Sequence, residues 1–175
     1  MTEQKTIHLT IDNQPVSVPD GTSIWEAARS IGIDIPTLCH DPKLDPVAVC
    51  RVCAVEVENA RTFPAACIRT VEKDMVVKTN TEQVRRSRGT LVEMLMAEHP
   101  TPCRQHEDTG DCELELLAEE LGVLTPRFES AHPAPLTQGK APDHSSAVIE
   151  VDLNACILCD RCIRACDDIQ VNDVI

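Results

Sequence analysis

Four cysteines between residues 39 and 67 constrain this chain more than any other feature. They stand at Cys39, Cys50, Cys53 and Cys67, spaced C-x10-C-x2-C-x13-C. A long first gap followed by a tight pair describes a loop folded over a bound group. Two thiolates separated by two residues converge on one centre, and Cys39 and Cys67 arrive from distant segments. Four thiolates are the ligand set of a [2Fe–2S] cluster, and this order elongates the plant-type arrangement of a lone cysteine, a close pair and a distant fourth. A structural zinc site or two disulfides would use the same residues differently. Zinc sites usually show two short Cys-x2–4-Cys knuckles, and this stretch has only the Cys50–Cys53 one.

Composition narrows the field further. Hydrophobic residues make up 42% of the 175, yet aromatics only 2%. A chain with Trp25, Phe63 and Phe128 as its aromatic residues cannot build a large aromatic core, so bound metal is expected to supply part of the folding energy. The net charge of −13 argues against nucleic acid, whose phosphates need Lys and Arg. The opening residues are polar, without an apolar signal core, and no apolar run approaches membrane-spanning length. Ten cysteines in such a chain read as metal ligands in a reducing, cytoplasmic compartment.

Taken in order, residues 5–11 alternate as a strand, Asp12, Asn13 and Gln14 turn the chain, and 15–18 return as the second arm of a hairpin. Ser23 with Glu26 three residues on is a capping box. Ile24, Ala27, Ala28 and Ile31 give its helix a buried stripe, Trp25 packs in the core or along its rim, and Gly32 suits the helix end. Residues 53–57 and 75–77 read as strands. A long helix is expected from Thr81 to about Glu98, with Leu91, Val92, Leu95 and Met96 on one face. A shorter one covers residues 113–121, closed by Gly122. The stretch from 123 to 147, rich in proline, reads as a linker.

Two further sets of metal-ligand residues follow. His99, Cys103, His106 and Cys112 lie at the junction of the two helices, where they form either a metal clamp, expected to hold a [4Fe–4S] cluster, or a loop with solvent-exposed histidines and two incidental thiols. Cys156, Cys159, Cys162 and Cys166 form C-x2-C-x2-C-x3-C, the bacterial ferredoxin run, which wraps one face of a [4Fe–4S] cube. In two-cluster ferredoxins the fourth cysteine of such a run serves the other cluster. Cys166 therefore either closes a local cube or belongs to a second one in a longer polypeptide. Four, two and four cysteines complete the ten, leaving no thiol as a catalytic nucleophile. The six glycines form no G-x-G-x-x-G, so no nucleotide site is expected.

In this order the cysteine sets, with His99-Pro100 between them, resemble the N-terminal iron–sulfur module of a known group. The group comprises the large iron–sulfur subunit of respiratory complex I, the diaphorase small subunit of NAD-reducing hydrogenases, and the alpha subunit of NAD-dependent formate dehydrogenases. The ending from Cys166 to Ile175 looks most like the formate dehydrogenase subunit. Two positions depart from the group's pattern. His106 stands where the middle site commonly has its second cysteine, and Val47, Ala48 and Val49 occupy a place that often holds glycine.

The resemblance implies an α+β fold: a β-grasp [2Fe–2S] domain (1–78), a small helical His/Cys domain (79–122), the linker (123–147) and half of a [4Fe–4S] ferredoxin domain (148–175). It implies an electron wire between a molybdenum or tungsten pterin site and a flavin-bearing partner that reduces NAD, with no substrate-converting site in these residues. A freestanding ferredoxin-like carrier or a zinc-bound assembly factor is the competing class.

Overall fold

The structure is a computed structural model that describes residues 5–123, 125–128 and 141–172. The chain divides into two compact units, one of Met1–Arg88 with Asp160–Ile175, the other of Gly89–Cys159.

In the first unit, β1 (Thr6–Ile11) and β2 (Gln14–Pro19) form an antiparallel hairpin. Asp12 and Asn13 connect them with φ of 47° and 66°. Positive φ at both central residues marks the turn whose twist matches paired strands, and Asx residues tolerate it. Two short strands complete a mixed sheet of order β2-β1-β4-β3: β3 (Glu56–Val57) runs antiparallel to β4 (Val76–Lys78), and β4 runs parallel to β1. The sheet is shorter than the alternation over 53–57 suggests. Residues 50–54 turn instead around the cysteine pair, with Arg51 left-handed at φ 60°, and only a bridge between Ala54 and Ala65 remains there.

Ile7, Leu9 and Ile11 of β1 and Val16 and Val18 of β2 bury one face of the hairpin. They share one core with Ile24, Trp25, Ala27 and Ala28 of α1 (Ile24–Ser30) and with Cys53, Val55, Cys67 and Val77. Trp25 places its indole N–H on the Ile35 carbonyl at 3.0 Å, so its one polar atom is satisfied inside the core. This small mixed sheet with a helix in its core is consistent with a ferredoxin-like fold.

The capping box is formed. The Ser23 hydroxyl accepts from the Glu26 N–H at 3.2 Å, and the Glu26 carboxylate accepts from the Ser23 N–H at 2.9 Å. Ser23→Ala should lower unfolding stability by about 1 kcal/mol, with Ser23→Asp retaining most of it. A chemical denaturation series showing no difference between the two variants would contradict this role.

Helix α2 (Glu82–Met96) starts from the Thr81 hydroxyl, which accepts from Val84 N–H at 3.3 Å, and the boundary between the two units falls within it. It ends before Glu98, close to Pro100. In the second unit a helix appears inside the expected junction loop: α3 (Arg104–Thr109), closed by Gly110 at φ 70°. It escapes an apolar-periodicity reading because none of its six residues is buried. Helix α4 (Glu113–Leu121) buries Leu114, Glu115, Leu117 and Ala118 and is closed by Gly122. Of the expected linker, Arg127 forks onto the buried Glu93 carboxylate at 2.7–3.1 Å; residues 124 and 129–140 lie outside the described ones. Back in the first unit, α5 (Arg161–Arg164) leads into a π-helical turn over Ala165–Ile169. No helix among the described residues is long and apolar enough to cross a membrane.

Candidate metal centres

The loop from Cys39 to Cys67 presents its four thiols as two pairs. Cys39 shares a hydrogen bond with Cys50, and the Cys53 and Cys67 Sγ atoms stand 3.4 Å apart. Three of the four are buried, Cys39, Cys53 and Cys67 at 0–1% exposure, and Cys50 is half-buried. The hydrogen bond with Cys39 pulls the Cys50 thiol down to about 5, and the same bond pushes Cys39 up. The bond with Cys67 lowers Cys53 to about 7 while raising Cys67. Backbone hydrogen bonds of Cys50 and Val49 act to lower Cys39, and those of Val52, Leu38 and Cys39 act to lower Cys50. Such bonds favour the thiolate form that a metal requires. Four thiols gathered in this loop fit the ligand set of a two-iron cluster, which Cys39, Cys50, Cys53 and Cys67 would hold.

Three arginines shape this loop. Arg51 donates to the Phe63 carbonyl at 3.3 Å. Arg88, only 5% exposed, donates Nε to the Val52 carbonyl at 3.0 Å and Nη2 to the Ala54 carbonyl at 2.9 Å. Arg164, from the last cysteine run, donates to the Asp45 carbonyl at 2.6 Å and also to the carbonyl of Cys39. Ala48 sits at φ 53°, a left-handed position that favours glycine, which gives the missing glycine of the 47–49 stretch a backbone cost. A cleft of about 630 Å³ opens beside Cys67 and is lined by Trp25, Arg29, His40 and Asp45 among others. The His40 ring stands edge-on to Trp25 at 4.6 Å, and burial lowers its pKa.

The middle set assembles differently from its sequence pattern. His99, Cys103 and Cys112 come together, and the fourth member of their group is Glu115: the donor atoms of these four all lie within 4.8 Å of one another. His106 is not in the group. Its backbone N–H donates to the Cys103 sulfur at 3.4 Å, and its ring Nδ1 is buried without a hydrogen-bond partner. The four grouped residues are 2–9% exposed. Burial pushes the Cys103 thiol up to about 12 and lowers His99. Glu115 stands at the Cys-x2 spacing from Cys112, but it escapes a reading confined to cysteine and histidine because it is one carboxylate among several in an acidic helix. Its signal is a carboxylate beside the apolar positions Leu114, Leu117 and Ala118 of a helix.

In the last run, Cys156 and Cys162 are exposed, Cys159 is half-buried and Cys166 is 8% exposed. Leu158 at φ 55° directs its N–H to the Cys156 sulfur at 3.5 Å, and Cys166 lies on the π-helical turn. Turns of that kind are frequent at functional sites.

Residues 4–82 match the family described as a 2Fe-2S iron-sulfur cluster binding domain. The chain carries a 2Fe–2S domain. Over 173 residues it is 36% identical to the NADP-reducing hydrogenase subunit HndD of Solidesulfovibrio fructosivorans, covering 95% of this chain and 28% of that protein. It is 37% identical to a subunit of the NADH-quinone oxidoreductase of Rhizobium meliloti, over 93% of this chain and 19% of the relative. A crystal structure of an NAD+-reducing [NiFe]-hydrogenase superposes with a TM-score of 0.80 at 32% identity, covering 91% of this chain and 65% of that one. The 2Fe–2S domain is thus related to those of NADH-quinone oxidoreductase and NAD-reducing hydrogenase subunits, while the chain spans at most 28% of the length of these two curated relatives.

Proposed function

We propose that this chain is an electron-transfer iron–sulfur module of a multi-subunit NAD(P)-linked oxidoreductase. The observation that carries the reading is the loop of Cys39, Cys50, Cys53 and Cys67, paired two by two inside a 2Fe–2S domain. Those residues would hold a [2Fe–2S] cluster, and Cys156, Cys159, Cys162 and Cys166 a [4Fe–4S] cluster, Cys166 being able instead to serve a second one. When bound, such clusters take up and release single electrons. The chain's own residues set the conditions: backbone hydrogen bonds that lower Cys39 and Cys50, burial of three thiols, and the Arg88 and Arg164 guanidinium groups on the loop carbonyls. Each of these tunes a cluster's potential.

Large apolar residues beside the last run are exposed, Leu158 at 76% and Val171 at 83%. Exposed apolar surface marks interaction sites, which favours a module packed in a larger assembly over a freestanding carrier. Within the oxidoreductases, the sequence from Cys166 to Ile175 supports the NAD-dependent formate dehydrogenase alpha subunit, with a molybdenum or tungsten pterin site and a flavin/NAD subunit as partners. Relatives named as hydrogenase and NADH-quinone oxidoreductase subunits support the alternative of a hydrogenase or complex I-like assembly. Adding formate, hydrogen or NADH to the anaerobic holo-complex and recording EPR separates them. Formate and NADH should each reduce the clusters. Reduction by hydrogen, or by NADH with no response to formate, would overturn the formate assignment.

A further inference from the structure

The geometry points to a single divalent metal ion of the zinc type, held by His99, Cys103, Cys112 and Glu115, in place of the iron–sulfur cluster expected between α2 and α4. The size of the donor group carries this. Its four donor atoms all lie within 4.8 Å of one another. A tetrahedral ion with bonds of 2.0–2.3 Å spaces its ligands at about 3.3–3.8 Å, so a small contraction closes the set on one ion. A four-iron cube places each outer ligand on its own iron and needs a wider ring. It also takes thiolates in most positions, and this site offers two. His106, at the chelating spacing from Cys103, stays outside the group.

Charge and hydrogen bonding point the same way. Glu115 is 5% exposed, and its Oε1 accepts from the Cys103 N–H at 2.8 Å. That oxygen lies 3.9 Å from His99 Nδ1, which is buried with no hydrogen-bond partner, and His99 Nε2 lies 4.0 Å from the Cys112 sulfur. A carboxylate, an imidazole and two thiols are gathered out of water here, with His99 Nδ1 unpartnered, and polar groups buried in this way are costly until a cation meets them. A divalent ion supplies that cation and stabilises both thiols as thiolates. The donors also come from separate pieces of the unit. Cys103 caps α3, Cys112 stands at the N-cap position of α4, Glu115 lies in the first turn of α4, and His99 follows α2. One ion therefore ties three helix ends together. Zinc has no redox chemistry of its own, so this centre is a staple and not a station for electrons.

Metal analysis of the anaerobically purified holo-protein, wild type and variants, tests the assignment. The wild type should contain about one zinc per chain beyond the iron of its other centres. Glu115→Gln should lose most of that zinc with its iron content unchanged, and His106→Ala should keep it. Cobalt exchanged into the site should give the intense visible bands of a tetrahedral thiolate complex, and these should weaken in Glu115→Gln. The cobalt spectrum of the wild type stands independently of whether the variant folds. Zinc well below one per chain with about four further irons would overturn the proposal. So would iron, and not zinc, falling in Glu115→Gln, because Glu115 would then be supporting a cluster.

Discussion

Cys53→Ser should remove the [2Fe–2S] EPR signal and about two irons per chain, and should leave the first unit markedly easier to unfold. Cys53 is 1% exposed, its sulfur stands 3.4 Å from that of Cys67, and its carbonyl accepts the Ala66 N–H at 3.1 Å. It is both a candidate ligand and a member of the core. A serine hydroxyl, with a far higher pKa than a thiol, does not supply the thiolate that iron needs. Because metal ligands and folding are linked, with structural sites contributing on the order of 10 kcal/mol in small domains, the loss should appear in stability as well as in the spectrum. Iron content and thermal unfolding measured on the same preparation give both. A native-like protein free of iron and loaded with tightly bound zinc at these four cysteines would sink the [2Fe–2S] assignment.

The second large effect lies outside the cysteines. Arg88→Met should destabilise the first unit by about 3 kcal/mol, the scale of removing a buried charged partner, and should speed the loss of iron on dilution into chelator. The guanidinium donates to the Val52 and Ala54 carbonyls on either side of Cys53, whose residues are 0% and 3% exposed. Methionine fills the volume of the stem but leaves those carbonyls without these donors. Arg88→Lys keeps the charge but cannot fork, so it should recover less than half of the loss. Denaturant midpoints for the three proteins, with iron-release rates, check this. A midpoint for Arg88→Met equal to that of the wild type would remove Arg88 from the account of the loop.

Short-range features were legible in the residues alone. The hairpin turn at Asp12 and Asn13, the Ser23–Glu26 box and Gly122 at the end of α4 each depend on neighbours a few positions away, and each is present. The 2Fe–2S domain was legible for a related reason: the Cys50-x2-Cys53 spacing is a local pattern, and Cys39 and Cys67 complete a set of four within the stretch that matches such a domain. What only the tertiary structure decided is where buried charges find partners. Arg88 lies four positions from both Val84 and Val92 and shares their burial. Its carbonyl partners are 34 and 36 positions away. Arg164 sits among the last cysteines and reaches the carbonyl of Cys39, 125 positions back. At the middle centre, spacing favoured His106, yet the chain turns into α3 directly after Cys103 and Glu115 of the next helix joins the donor group instead. Burying a charge is costly until a distant donor or cation meets it. No local pattern encodes that meeting, because it exists only once the intervening chain has folded.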